Sequence, residues 1–208
     1  MSKAVLFSIR PQHCFDIANY DKLNEVRKIK PKVDVPFKAY IYCTKGGRLL
    51  YKSNRDNAIR LTEWSYRNTI LNRKHTEFNG KVIGEFICNN IDEFTAAEIR
   101  TSTGGVSEAI ECSCLSVNEL LIYKGLNDVL YFISISDLVI YDKPKELSEF
   151  YRECEKQECD NCPYLHFENT PCSYEGYCTV GEKIPIKRAP QSYCFVEELP
   201  ETEVNKHA

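Results

Sequence analysis

Within DKLNEVRKIKPK, residues 21–32, the cations Lys22, Arg27, Lys28, Lys30 and Lys32 gather around one central carboxylate, Glu25. A lysine and an arginine held close together supply a point charge and a planar fork, the pair of donors that grips a phosphate or a base edge. A carboxylate between them can orient both side chains or accept from an exocyclic amine. The competing reading is a structural ion pair, Glu25 with Arg27, on one strand face. Tyr20, Phe37, Tyr40 and Tyr42 lie nearby in sequence and offer a stacking face for a base, unless they simply pack.

A second cluster is CEKQECDNCPYLHFENTPCSYEGYC, spaced C-x4-C-x2-C-x9-C-x5-C. Cys159 and Cys162, followed by Pro163, resemble half of a zinc knuckle. Cys172 and Cys178 would close the tetrahedral set, with Cys154 and His166 in reserve. So short a segment with few aliphatic side chains cannot build its own core, and a structural Zn ion would stabilise it. Free thiols or redox pairing, and an iron–sulfur cluster, are the alternatives. The acidic surroundings of this cluster suit a protein partner better than nucleic acid.

The other six of the eleven cysteines are Cys14, Cys43, Cys88 and Cys194, single in apolar surroundings, and Cys112 and Cys114, which flank a serine at strand-like spacing. An odd total argues against a disulfide framework. The net charge of −3 conceals an asymmetry: residues 1–50 hold ten Lys or Arg against four acids, whereas residues 146–160 hold six acids against Arg152 and Lys156. A basic lobe can focus potential on a polyanion even when the sum is negative. No apolar run approaches the roughly 20 residues that span a bilayer. The opening MSKAVLFSIRPQ lacks the form of a secretory signal. The expectation is a cytoplasmic protein.

The elements that must position these residues follow from pattern. AVLFSI (4–9) reads as a buried strand feeding a helix, with Pro11 in its first turn. FKAYIYCTK (37–45) and KVIGEFICNNI (81–91) read as strands, Gly84 marking a bulge or a close backbone approach. Residues 50–79 read as a helical excursion carrying Leu61, Trp64, Ile70 and Leu71. CLSVNELLIY (114–123) reads as a helix capped by Ser116, with Glu119 completing a capping box. VLYFISISDLVIYDKP (129–144) holds one or two strands, LSEFYREC (147–154) a short helix, and QSYCFVEEL (191–199) a closing strand. Strands without a regular βαβ period imply a mixed or barrel-like α+β sheet protein.

SIRPQHCFDIANYDKLNEVRK resembles the opening of ASCH domains, members of the PUA-like superfamily, where a strand and helix lead into a Lys-Thr-x-Glu-x-Arg signature. Lys22, Glu25 and Arg27 match it, and Leu23 stands where Thr is usual. KVIGEF, CLSVNELL, FISISDLVIYDKP and APQSYCFVEEL add to the likeness, which is nearest to ASCH proteins of phages and Firmicutes-type bacteria. The resemblance implies a PUA-like β-barrel with peripheral helices, formed by residues 1–150 and 184–199. A Cys-rich zinc-binding insert would occupy 151–183 and a flexible tail 200–208. It also implies an RNA-binding or modified-nucleotide-binding module, with Arg10, Lys22, Glu25, Arg27, Lys28 and Lys30 in a basic cleft.

Two alternatives come from other classes. Some ASCH proteins are similar to acetylcytidine amidohydrolases, and others are reported as ribonucleases. The amidohydrolase pattern requires a Thr nucleophile three residues after the lysine, and Glu25 occupies that place. A carboxylate cannot stand in for an alkoxide at an amide. This argues against an enzyme, although Glu111 or Glu119 is available as a remote carboxylate. Lys22, Glu25 and His13 are the candidates for metal-independent RNA cleavage. The other alternative is a phage-borne factor that meets a host protein through its acidic insert.

Overall fold

The computed structural model describes residues 3–72, 74–153 and 183–199. The expected metal ligands Cys154, Cys159, Cys162, Cys172, Cys178 and His166, and the 200–208 tail, lie outside them. Strand β1 (Lys3–Ile9) enters helix α1 (Pro11–Ala18) through Pro11, whose missing N–H costs nothing in a first turn. The chain continues through β2 (Asn24–Arg27), β3 (Phe37–Cys43), β4 (Arg48–Ser53), β5 (Ile59–Glu63), α2 (Arg67–Leu71), β6 (His75–Glu77), β7 (Val82–Cys88) and β8 (Ile91–Thr95). Helices α3 (Ala96–Thr101), α4 (Gly105–Glu111) and α5 (Val117–Lys124) precede β9 (Val129–Ser134), β10 (Ser136–Lys145), β11 (Tyr151–Glu153), β12 (Lys183–Pro185) and β13 (Tyr193–Glu197).

The main sheet has the order β10-β7-β3-β1-β13, and β1 and β3 form its parallel pair. A second sheet, β2-β9-β8, turns away from it at one corner, where the Ser134 hydroxyl accepts from the amides of Asn89 and Asn90 at 3.1 and 2.9 Å. Phe7, Ile9, Cys14, Ile17, Ile41, Cys43 and Phe86 are buried between the main sheet, α1 and this corner. A separate apolar cluster of Val26, Leu130 and Phe132 with Ile99, Ile110 and Leu120 lies between the second sheet and helices α3–α5. Helix α5 begins with the full capping box: Glu119 N donates to the Ser116 hydroxyl, and Ser116 N donates to Glu119.

Four expectations need correction. The α+β class stands, but the sheets do not close into a barrel. Among the described residues no ladder joins β10 to β13, and β10 carries two register shifts against β7, irregularities that bend an edge strand. The 50–79 segment is chiefly a three-stranded sheet, β5-β4-β6, with a single 3-10 turn, Trp64–Tyr66, running into the short helix α2. Leu61, expected in a helical stripe with Trp64, Ile70 and Leu71, instead faces Leu50 across the β4–β5 ladder. The 147–154 helix shrinks to a single turn, Leu147–Glu149, before β11. Phe150 is drawn out of helical register to pack edge-on against Tyr40, with ring centres 4.9 Å apart. β11 pairs with β12, so Glu153 and Lys183, the described residues flanking 154–182, are register partners. The spacing of Cys112 and Cys114 is not that of a strand: it falls in the turn between α4 and α5.

Candidate functional site

The carboxyl end of the parallel pair β1/β3 opens onto a cleft of ≈ 620 Å³, walled on its far side by α5. Three elements deliver its polar groups. Alternation along β2 places Glu25 and Arg27 on the cleft face, while Val26 enters the apolar cluster behind. The turn after α4 anchors the start of β2, because the Cys112 carbonyl accepts from the amides of Leu23 and Asn24 at 2.7 and 2.9 Å. One residue earlier, Lys22 extends back into the protein, and its Nζ donates to the Ser113 carbonyl at 2.6 Å.

Lys22, Glu25 and Arg27 are all buried, Lys22 at only 1% exposure. Arg27 Nη2 donates to Glu25 Oε1 at 2.9 Å and to the Ser8 carbonyl at 2.8 Å, while Glu25 Oε2 lies 3.7 Å from Lys22 Nζ. The guanidinium also sits over the Phe7 ring, 5.2 Å from its centre. Its Nε is buried without a hydrogen-bond partner among the described residues, a donor still open to an acceptor. Two cations around one carboxylate leave a local excess of positive charge. Burial raises the electrostatic strength of each group toward a guest, because less water screens it.

The rest of the rim is mixed. Arg10 is exposed at the mouth. His13, from α1, lies with Nδ1 3.6 Å from Asp16 Oδ2, beyond a good hydrogen bond. Burial, and then the Lys22 charge, hold its imidazole below the ordinary histidine pKa, so it is largely neutral at pH 7. Tyr123, on α5, is the aromatic of the cleft. Burial pushes its phenol up, and the Arg27 charge partly opposes the shift. Lys28 Nζ lies 4.9 Å from the centre of that ring.

Of the residues singled out in the sequence, the structure brings Arg10, His13, Lys22, Glu25 and Arg27 to one cleft. Lys28 reaches it only through Tyr123, and Lys30 lies in a neighbouring hollow. The stacking expectation shifts: Phe37, Tyr40 and Tyr42 are core residues, and Tyr20 is exposed away from the cleft lining. Tyr123 and Ile122 were missed. The signal was present, since Ile122 and Tyr123 stand three and four residues after the capping Glu119 and share its side of the helix. Glu119 does line the cleft, but it serves as the cap. Lys22 Nζ has the Ser113 carbonyl and the Glu25 carboxylate as its oxygen partners among the described residues. The Ser8 hydroxyl is committed to the Pro190 carbonyl at 2.7 Å. Fixed cations, an acceptor carboxylate and a neutral imidazole are thus in place.

No family model matches the sequence, and no curated protein matches it. Solved structures do. The chain is similar to ASCH proteins. The crystal structure of ASCH from Zymomonas mobilis is 12% identical, with 94% of this chain and 88% of that one covered at a TM-score of 0.45. A serine-to-alanine mutant of that ASCH protein is 12% identical, with 94% and 89% covered at a TM-score of 0.46. A tyrosine-to-phenylalanine mutant is 13% identical, with 77% and 81% covered at 0.41. No group of three or more metal-ligating side chains is found among the described residues. No described helix is long and apolar enough to cross a membrane.

Proposed function

We propose that the chain is an ASCH-type RNA-binding or nucleotide-binding module and that the cleft between β2 and α5 receives the nucleotide. The observation that carries this reading is the convergence of Lys22, Glu25 and Arg27 in one recess, with Arg27 Nε unpartnered among the described residues. A structural ion pair alone needs neither a second buried cation nor a cavity beside it. Arg27 and Lys22 bind phosphate or a base carbonyl, Glu25 accepts from a base amine, and Tyr123 supplies the stacking face that Tyr40 and Tyr42 do not. Arg10 at the mouth draws the anion in. The matches of Lys22, Glu25 and Arg27 to the ASCH signature support the same reading from the sequence.

The test is calorimetric titration of the intact protein with nucleoside monophosphates and with short RNA, at two salt concentrations. Variants Arg10→Ala and Tyr123→Leu alter the rim without emptying the buried triad. Binding that weakens with salt, and that Tyr123→Leu reduces by about 1–3 kcal/mol per stacked base, supports the cleft. Wild-type protein that binds neither ligand, or binds equally well after both substitutions, removes it.

A further inference from the structure

Beside the cleft lies a second, more open hollow of ≈ 500 Å³, formed by the segment after β2 and lined by Lys28, Lys30, Lys32, Ile29 and Tyr131, with Asp34 as its acid. Lys30 and Lys32 are exposed, and none of the three lysines has a carboxylate partner among the described residues. The two hollows are neighbours by strand register. Arg27 on β2 and Tyr131 on β9 are direct cross-strand partners, so their side chains emerge on one face about 5 Å apart. Arg27 lines the cleft and Tyr131 lines the second hollow. Lys28 also links them, lining the hollow while its ammonium rests on the Tyr123 ring of the cleft.

We propose that the two hollows form one continuous track for a single-stranded polynucleotide: the cleft takes one nucleotide, and the lysine hollow takes the phosphodiester backbone and base next to it. This inference rests on the cleft reading above and specifies its ligand. A groove of unpaired cations with an aromatic platform is the combination that follows a single strand without reading its sequence. Three lysines against one aspartate favour a chain of phosphates over one. A continuous duplex does not fit the same geometry, because Lys22 and Arg27 are recessed and a stacked, paired base cannot reach them unless it is extruded. The exposed Ile29 offers its apolar face to the neighbouring base.

The experiment uses the intact chain, a fluorescently labelled single strand of about ten nucleotides in RNA and DNA forms, the matching duplex, and a nucleoside monophosphate. The expected result is tighter binding of the single strand than of the duplex or the monophosphate. Lys30→Ala/Lys32→Ala should lower single-strand affinity roughly tenfold and flatten the log–log salt dependence by about 1.4, two single-strand phosphate contacts. It should leave monophosphate affinity unchanged, which also shows that the variant is folded. Stronger loss with RNA than with DNA assigns the track to RNA, and equal loss assigns it to any single strand. If the monophosphate binds but the double substitution changes neither single-strand affinity nor salt slope, the track is wrong and the cleft survives. If wild-type protein binds no nucleic acid and no monophosphate, both fail together.

Discussion

Glu25 Oε1 accepts from Arg27 Nη2 at 2.9 Å inside the protein, on the same face of a four-residue strand. With Lys22 on the other carboxylate oxygen, this pair makes Glu25 the single counter-charge, among the described residues, for two buried cations. Such a group is not there for net stability, since two charges taken out of water roughly cancel their mutual attraction. Removing the carboxylate alone is another matter. Glu25→Gln is expected to destabilise the fold by about 3–5 kcal/mol, because two cations are left buried without compensation. Denaturant unfolding should show a lower midpoint at an unchanged slope. A loss below about 1 kcal/mol would mean that water reaches the triad.

Gly84 tests the register of the main sheet. A Cβ there would stand 2.4 Å from the Val139 carbonyl and 3.0 Å from Ile140 Cδ1. The first obstacle is backbone and cannot rotate aside. Gly84→Ala is therefore expected to cost about 1–3 kcal/mol through overpacking and to loosen β10, which ends the sheet. Thermal unfolding together with amide exchange across Ser136–Lys145 measures both effects.

His13 links the cleft to pH. Its folded pKa lies below the ordinary value of 6.5, set by burial and by Lys22 against the opposing carboxylates Glu25 and Asp16, with Glu119 also nearby. Below 6.5 the unfolded chain therefore binds a proton that the folded chain refuses. Stability is present above that value and is lost as pH falls toward the folded pKa. The slope approaches at most about 1.4 kcal/mol per pH unit for one proton. Melting temperatures at about pH 7.5 and about pH 5.5 should differ less for His13→Gln than for the wild type. An equal drop in the two proteins would show that another group carries the dependence.

The expectation of a Zn site from Cys159, Cys162, Cys172 and Cys178 is open to direct measurement. Elemental analysis of protein purified without added metal is expected to give about one Zn per chain. Chelation should expose titratable thiols and lower thermal stability. Less than half an equivalent, with the five cysteines of the 154–178 cluster reactive in native protein, would count against it.

Local chemistry made much of the chain legible. Pro11 in a first turn, the Ser116 and Glu119 capping box, the apolar strands read at 4–9 and, two residues too long, at 37–45, and the close approach at Gly84 all appear, because each depends on neighbours within a few residues. Where the outcome depended on a distant partner, the reading diverged. Leu50 and Leu61 became cross-strand partners in a small sheet. Phe150 left its helix for Tyr40. Helical and extended periods are hard to separate in short segments, and tertiary packing overrides a weak propensity.

By itself the sequence determined which residues carry the charge: Lys22, Glu25 and Arg27 are close in the chain, and alternation alone puts the last two on one side of a strand. Only the tertiary structure decided that this side faces a cavity, that the Ser113 carbonyl pulls Lys22 inward, and that the cleft's aromatic is Tyr123, 96 positions beyond Arg27. Strand alternation is a local property of the backbone. Burial and the walls of a cleft arise only when remote segments, here α5 and the turn before it, close over the strand and remove its water.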